Sequence, residues 1–192
     1  MTEAEKKQRG AFYDTRDPEL RAQQNRAKDL MRAYNLLPAG DQGARTRLLS
    51  RLFGGLGSNA RVNQPVYVDY GYNIRTGKAF YANHNLVILD GAPVTFGDHV
   101  FIGPNCCFST AGHPLDVAQR NAGLEYAKPI TIGNNVWIGA GVQVLHGVTI
   151  GDNAVIGAGS VVTKDIPAGM LAVGVPCRPI RQIEEKPRRV IL

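Results

Sequence analysis

The sequence predicts a mainly β chain, a parallel β-helix of six-residue repeats preceded by a helical module, and two observations carry this prediction. Beyond about residue 60, aliphatic residues recur at every sixth position, with Gly, Asn and Asp between them. Before that point, apolar residues recur at spacings of three and four, which is typical of amphipathic helices. We therefore divide the chain into a helical module at residues 1–58 and a repeat domain at residues 59–192.

Two helices are predicted in the N-terminal module. The first covers residues 17–37, because Asp17 suits an N-cap, Pro18 suits a first turn and Pro38 ends the pattern. A shorter second helix is predicted within residues 44–57, where a pair of glycines ends the apolar periodicity.

The repeat domain keeps its register over long stretches. Such a period suits a solenoid in which each repeat forms one strand and one turn, three repeats close a coil, and residues eighteen positions apart stack inside. Gly, Asn and Asp take the corners because they tolerate left-handed backbone. Allowing a two-residue insertion near residues 91–93, the predicted inward positions are Tyr70, Thr76, Ala82, Ile88, Phe96, Ile102, Ile132, Ile138, Val144, Ile150, Ile156 and Val162.

Two segments depart from the repeat. Residues 109–129 lose the period and become polar, so we predict an inserted functional loop there. The C-terminal segment contains several prolines and a basic tail that includes Lys186, Arg188 and Arg189. We expect part of this segment to cap the end of the solenoid, which otherwise exposes unpaired backbone groups.

Composition narrows the functional classes. The net charge of +6 favours anionic ligands without identifying one. No apolar leader or membrane-length apolar run is present, so we expect a cytoplasmic protein with neither a membrane nor a nucleic-acid partner. The three cysteines lack disulfide or metal spacing and are interpreted as reduced packing residues.

Several motifs occur in a fixed order: TAGHPLD in the loop, then KPITIGNNVWIGAGV, GVTIGDNAVIGAGSVVTKDIP and GVPCRPIR, after an N-terminal FYD. On these motifs the chain resembles the maltose/galactoside O-acetyltransferase branch of the hexapeptide-repeat acyltransferases. The resemblance implies a left-handed parallel β-helix and a homotrimer with active sites between subunits. It also implies acetyl-CoA as co-substrate, bound along the coils, and no metal.

His113, in the inserted loop, is the predicted general base. Acetyl transfer to a hydroxyl requires removal of a proton, and His is well matched to take and return it. The resemblance places His113 at the family's catalytic position. His84, His99 and His146 lie within repeats, where corner or surface positions are expected, and their spacing makes metal catalysis a weak alternative. No nucleophile motif is present, so direct attack by the acceptor is favoured over an acyl-enzyme.

The remaining catalytic candidates are Glu125, Asn83 and the backbone of Ala140. Glu125 either orients His113 and stabilises its cationic form, as carboxylates do in triads, or is a solvated loop charge. The resemblance assigns Asn83 to the catalytic and acceptor site, and it assigns the N–H of Ala140 to the oxyanion. Ala140 also suits a corner where only a small residue fits.

Polar residues that match the family's acceptor positions suit hydrogen bonds to sugar hydroxyls, and the alternative for Asp69 and Asn83 is a turn corner. Gly91 stands where galactoside-type members carry an acidic residue, which favours the maltose-like group. Trp137 precedes an inward position and should point outward, as at an interface or ligand wall. The predicted acceptor residues are Asp14, Asp69, Asn83, Asp90 and Trp137.

Matching positions also predict the acetyl-CoA contacts, and cations among them suit the phosphates of CoA. They are Ala140, Ala158, Thr163, Lys164, Arg178 and Arg181. The sequence therefore predicts an acetyl-CoA-dependent O-acetyltransferase that acts on a sugar. The alternatives are another hydroxyl acceptor, such as serine, an antibiotic or a lipo-oligosaccharide, and a catalytically silent β-helix scaffold.

Overall fold

The computed structural model describes residues 1–184, so Lys186, Arg188 and Arg189 of the predicted basic tail lie outside the described residues. The four helices of this part are α1 (Glu3–Gln8), α2 (Pro18–Asn35), α3 (Gln42–Leu52) and α4 (Val117–Asn121). Asp17 caps α2 through hydrogen bonds from the N–H groups of Glu19 and Leu20, which confirms the predicted start of that helix. None of these helices combines the length and the apolar character that a membrane crossing requires.

Short strands make up the rest of the described chain. In order they are β1 (Tyr13–Asp14), β2 (Arg61–Val62), β3 (Val66–Val68), β4 (Ile74–Thr76), β5 (Tyr81–Ala82), β6 (Leu86–Leu89), β7 (Val94–Phe96), β8 (Phe101–Ile102), β9 (Cys107–Ser109), β10 (Ala111–Gly112), β11 (Leu124–Ala127), β12 (Ile130–Ile132), β13 (Trp137–Ile138), β14 (Gln143–Val144), β15 (Thr149–Ile150), β16 (Val155–Ile156), β17 (Val161–Val162), β18 (Met170–Gly174) and β19 (Cys177–Gln182).

These strands form a three-sided parallel solenoid. The chain passes in each coil from face 1 (β2, β5, β8, β13, β16 and β18) to face 2 (β3, β6, β9, β14 and β17) and then to face 3 (β4, β7, β12 and β15). Ile138 pairs with Ile156, eighteen residues further on, as the period predicts. The predicted inward residues from Ala82 onward are at most 2% exposed, so the six-residue interpretation is confirmed over the main body of the solenoid.

Two corners between faces 2 and 3 are longer than the repeat. Residues 69–73 and 90–93 each add two residues, which is why Val66 pairs with Leu86, twenty positions later. The prediction that Tyr70 points into the solenoid is therefore wrong. Val68 is the last inward residue of β3, and Tyr70 packs outside the main core with Tyr13 and Leu20.

The N-terminal module covers the first coil. Asn35, at the end of α2, exchanges two hydrogen bonds of 2.9 Å with the backbone of Val66, and the Tyr34 hydroxyl donates to the Val62 carbonyl. Gln64 donates to two carbonyl groups near the end of α2. These bonds satisfy edge groups of β2 and β3, and the apolar sides of α2 and α3 join the solenoid core.

At the other end, β18 completes face 1 and β19 folds back antiparallel to it. Residues within 109–129 leave the solenoid between β9 and β12 and contain β10, α4 and β11. Cys106 and Cys177 are buried, Cys107 is half-buried, and all three are free thiols.

Candidate active site

The predicted site residues lie on two different edges of the solenoid. We call the corner where face 2 strands end the histidine edge, because His113 follows β9 and β10 there. We call the corner where face 1 strands end the alanine edge, because Ala140 and Ala158 follow β13 and β16 there. Face 2 separates the two edges, and a four-residue strand such as β6 spans about 13 Å.

On the histidine edge, the loop holds His113 through strand β11. Nδ1 of His113 lies 3.1 Å from the carbonyl oxygen of Leu124, and Nε2 lies 3.5 Å from Oε1 of Glu125. The side chain of His113 is 53% exposed. The imidazole is thus anchored at one nitrogen, while the other is open to an incoming group.

The carbonyl bond fixes the tautomer of His113. A carbonyl oxygen only accepts, so Nδ1 carries the hydrogen and Nε2 has a free lone pair in the neutral ring. Glu125 lies at Nε2 and not at the anchored Nδ1. The group that orients the ring is therefore the Leu124 carbonyl, and Glu125 lies where a carboxylate stabilises a proton on Nε2, the other half of its predicted role.

Two acidic residues follow β3 and β6 on the same edge. Asp90 is fully buried, and its carboxylate accepts backbone N–H groups from Asp69 (3.1 Å), Tyr70 (2.8 Å) and Asn73 (3.3 Å). Burial raises the pKa of Asp90 to about 7, against the effect of these donors. Asp90 has no exposed surface for an acceptor, so we correct its predicted substrate contact: it holds the 69–73 corner that carries Asp69.

Asp69 is half-buried at this corner. Burial raises its pKa to about 6, the charge of Glu125 adds to the rise, and the charge of Lys7 opposes it. Lys7 is only 5% exposed, lies 3.1 Å from the centroid of the Tyr70 ring and donates to the Tyr72 hydroxyl at 3.1 Å. Burial lowers the pKa of Lys7 to about 8. The buried ammonium group of Lys7 thus lies close to Asp69 on the histidine edge.

Asp14 reaches the same edge through the N-terminal module. Strand β1 pairs antiparallel with β11, which sets Asp14 opposite Leu124 and Tyr13 opposite Glu125. The Asp14 carboxylate forms a two-point ion pair with Arg16 at 2.8–2.9 Å, and this contact lowers its pKa to about 2. Asp14 therefore lies near His113, with its carboxylate oxygens already paired with Arg16.

The alanine edge carries the other predicted residues. Asn83 follows β5, and its side-chain oxygen accepts the N–H of His84. Ala140 and Ala158 are exposed, and within residues 1–184 their backbone N–H groups donate no hydrogen bond. Trp137 is 57% exposed, so it points outward as predicted. It lies beside Phe101, which is 50% exposed. This edge offers free donors and an aromatic wall.

The predicted phosphate-binding residues are exposed near the C-terminal end. Thr163 and Lys164 follow β17 on the histidine edge, two coils beyond β9. Arg178 and Arg181 lie on β19, which extends face 1. A single chain therefore does not bring Asn83, Trp137 and Ala140 to His113.

The other histidines occupy corners, as predicted. His99 has a positive φ of 55°, His84 contacts the Gln64 carbonyl, and His146 contacts the Tyr126 hydroxyl. In the part of the chain that the structure describes, no three His, Cys, Asp or Glu side chains cluster as metal ligands would.

Sequence reasoning missed two groups at the site. The Leu124 carbonyl is a backbone atom, so its residue type carries no signal. Tyr13 donates a 2.7 Å hydrogen bond to Oε2 of Glu125, from 112 positions away in the chain. The sequence around Tyr13 shows no alternation of polar and apolar residues, and nothing in it identifies Glu125 as the partner.

Two family models match the chain. Residues 6–57 match the maltose acetyltransferase hexapeptide capping motif, and residues 129–164 match the bacterial transferase hexapeptide with six repeats. The first match covers the N-terminal module and the second covers the regular coils after the loop.

Relatives match over nearly the whole chain. A putative acetyltransferase of Saccharomyces cerevisiae is 51% identical, covering 92% of this chain and 91% of the relative. A crystal structure of a maltose O-acetyltransferase from Clostridium difficile superposes with a TM-score of 0.95 at 47% identity, covering 96% of this chain and 99% of that one. A galactoside acetyltransferase in complex with coenzyme A gives a TM-score of 0.93 at 47% identity, covering 96% and 92%.

Proposed function

This chain belongs to the maltose/galactoside branch of the hexapeptide-repeat acetyltransferases, and from that premise we propose that it moves the acetyl group of acetyl-CoA to a hydroxyl of a maltose- or glucose-like sugar. His113 is the general base. The observation that carries the proposal is the free Nε2 of His113, left open by the anchoring bond from Nδ1 to the Leu124 carbonyl.

The proposed reaction has two steps. The acceptor hydroxyl gives its proton to Nε2 of His113 while its oxygen attacks the thioester carbonyl carbon. The tetrahedral oxyanion accepts a hydrogen bond from the free N–H of Ala140, as oxyanion holes provide. The carbon–sulfur bond then breaks, the CoA thiolate takes the proton from His113, and the acetyl ester leaves. Glu125 stabilises the imidazolium between the two steps.

The acceptor binds, in this proposal, between Asp69 and Asp14 on the histidine edge and Asn83 and Trp137 on the alanine edge. The resemblance expects an acidic residue where this chain has Gly91, and on that basis we propose a preference for glucose-like over galactoside acceptors. The CoA chain follows Ala140 and Ala158 toward its phosphate contacts at Thr163, Lys164, Arg178 and Arg181. The CoA complex of the galactoside acetyltransferase supports this assignment of the cofactor.

The two edges meet only if a second copy supplies one of them, so we propose a homotrimer with three shared sites. The exposed side chains of Trp137 and Phe101 on face 1, and of Leu115 (94%) and Val117 (58%) in the loop, are apolar surfaces that such contacts would cover. A three-sided solenoid presents the same pair of edges to each neighbour under cyclic symmetry.

Three measurements test the proposal. Thiol release from acetyl-CoA is followed with a panel of sugars, amino acids and antibiotics. We expect turnover with maltose or glucose, and a loss of about 100-fold or more in His113→Ala with acetyl-CoA binding retained. Undiminished turnover by His113→Ala refutes the mechanism. Turnover with only a non-sugar acceptor corrects the substrate, and none with any acceptor favours the silent scaffold.

Subunit mixing tests the shared site. His113→Ala lacks the base, and Ala140→Phe blocks the proposed oxyanion donor on the other edge. Co-refolding the two inactive variants in equal amounts should restore about a quarter of the sites if each site takes one edge from each of two subunits. Mixtures that stay inactive, from variants that still assemble, contradict shared sites.

A further inference from the structure

The N-terminal module contributes a strand to the support of His113. Strand β11 is the middle strand of a small antiparallel sheet, with β10 on one side and β1 on the other. Strand β10 ends at Gly112, immediately before His113. Strand β11 supplies both groups that face the imidazole, the Leu124 carbonyl and the Glu125 carboxylate. The position of β1 therefore bears directly on the geometry of the base.

Tyr13 makes the side-chain contact in this sheet. It is 1% exposed, and its hydroxyl donates to Oε2 of Glu125 at 2.7 Å, which leaves Oε1 directed at His113. Burial and the neighbouring Glu125 charge raise the pKa of Tyr13 far above its usual range, so the phenol stays a donor. A carboxylate with one oxygen held by a buried donor has few alternative rotamers, so Glu125 is fixed relative to Nε2.

Gly91 forms the wall behind the Tyr13 hydroxyl. A Cβ atom at this position would lie 3.3 Å from the Tyr13 oxygen, 3.2 Å from Cβ of Ala127 and 3.4 Å from the Thr110 hydroxyl. The first two distances are tighter than most Cβ contacts, so Tyr13, Ala127 or both must shift by a few tenths of an ångström to admit a side chain here. Gly91 thus leaves the space that the Tyr13 hydroxyl occupies when it donates to Glu125.

We propose that Tyr13 is a positioning residue for acetyl transfer: from the N-terminal module, and in space left by Gly91, it holds Glu125 toward the base. The module is then part of the catalytic apparatus as well as a cover for the first coil. This inference rests on the proposed role of His113 and goes beyond it, because it assigns a function to a residue that touches neither acceptor nor CoA.

A double-mutant cycle tests the proposal in the full-length protein. We expect Tyr13→Phe to lower kcat about tenfold, with the KM for acetyl-CoA unchanged, because positioning errors act on the chemical step. In a Glu125→Ala background the same substitution should change kcat less than twofold. Tyr34→Phe is the matched control: it also removes a buried tyrosine hydrogen bond of the module, to Val62, and should leave kcat unchanged.

Gly91→Ala provides an independent route if Tyr13→Phe fails to fold. It should lower kcat several-fold alone and have a smaller effect in the Glu125→Ala background. The inference is overturned if Tyr13→Phe or Gly91→Ala lowers kcat by the same factor in the parent and in the Glu125→Ala background. It is also overturned if the single variants keep the parent's kcat. If His113→Ala keeps its turnover, the proposed function itself is wrong. If His113→Ala is inactive and the cycle is additive, only the role of Tyr13 is wrong.

Discussion

Replacement of Glu125 by Gln isolates the charge beside the base. Gln keeps the size of the side chain and an oxygen that accepts from Tyr13. It removes the negative charge and places an amide NH2 donor, instead of Oε1, beside Nε2 of His113. In the proposed mechanism this charge stabilises the imidazolium form of His113 and has no comparable effect on the neutral ring. The substitution should therefore raise the barrier of the chemical step and leave acetyl-CoA binding alone.

The size of the effect follows from the geometry. At the 3.5 Å separation of Nε2 and Oε1, a pair of unit charges interacts by about 1 kcal/mol in bulk water and about 5 kcal/mol at an effective dielectric of about 20. The two side chains are 53% and 22% exposed, so solvent screening brings the value toward the lower limit. About 1–2 kcal/mol, or roughly a tenfold lower kcat, is the expected loss.

The assay is steady-state thiol release with both substrates varied, together with a melting curve for each variant. Glu19→Gln, at an exposed site in the first turn of α2, is the control for the same chemical change elsewhere. A kcat for Glu125→Gln within twofold of the parent, in a protein that melts normally, would show that the carboxylate is only a solvated loop charge.

Three further predictions concern pH and stability. The KM for the sugar acceptor should rise below about pH 6, because the pKa of Asp69 is about 6 and its protonated carboxyl no longer accepts a hydrogen bond from a sugar hydroxyl as well. Asp69→Asn should abolish this rise. An Asp69→Asn variant with the parent's pH profile contradicts the role of Asp69. Asp90→Ala should lower the free energy of unfolding by about 3 kcal/mol or more in denaturant titrations, because three backbone N–H donors lose their partner. A loss under about 1 kcal/mol argues against Asp90 as the residue that holds the 69–73 corner. Ile138→Ala should lower the free energy of unfolding by about 2–5 kcal/mol in the same titration, because Ile138 is fully buried between neighbouring coils. A smaller loss means that neighbouring side chains move into the cavity.

The regular part of the fold was predictable because its pattern is local. From Ala82 onward each sixth residue must be apolar to fill a narrow interior, so counting along the chain finds the inward set. The position of Tyr70 was not predictable in this way. Counting back by six from Ala82 gives Thr76 and then Tyr70, and an aromatic residue fits an inward position, so the extra residues at 69–73 were missed although the insertion near 91–93 was found. Helix α1 was missed because six residues are too few for a periodicity.

The site was predictable only in part, for a related reason. His113 was singled out because a lone His in a polar insertion differs from its surroundings. Asp90 looked accessible because a carboxylate usually is, and only the fold reveals that backbone donors enclose it. The contact of Tyr13 with Glu125 depends on the pairing of two short strands distant in sequence. No spacing within one segment carries that information.

The reversal of direction at β19 has a consequence for how these molecules behave in concentrated solution. A parallel solenoid is a one-dimensional lattice whose end coil is a template for the next, so an open end invites polymerisation into fibres. Here helices α2 and α3 terminate the lattice at one end, and at the other a strand of opposite polarity follows β18. We expect loss of residues from about 170 onward to uncover β16 and to allow end-to-end association, which light scattering of the truncated protein would detect.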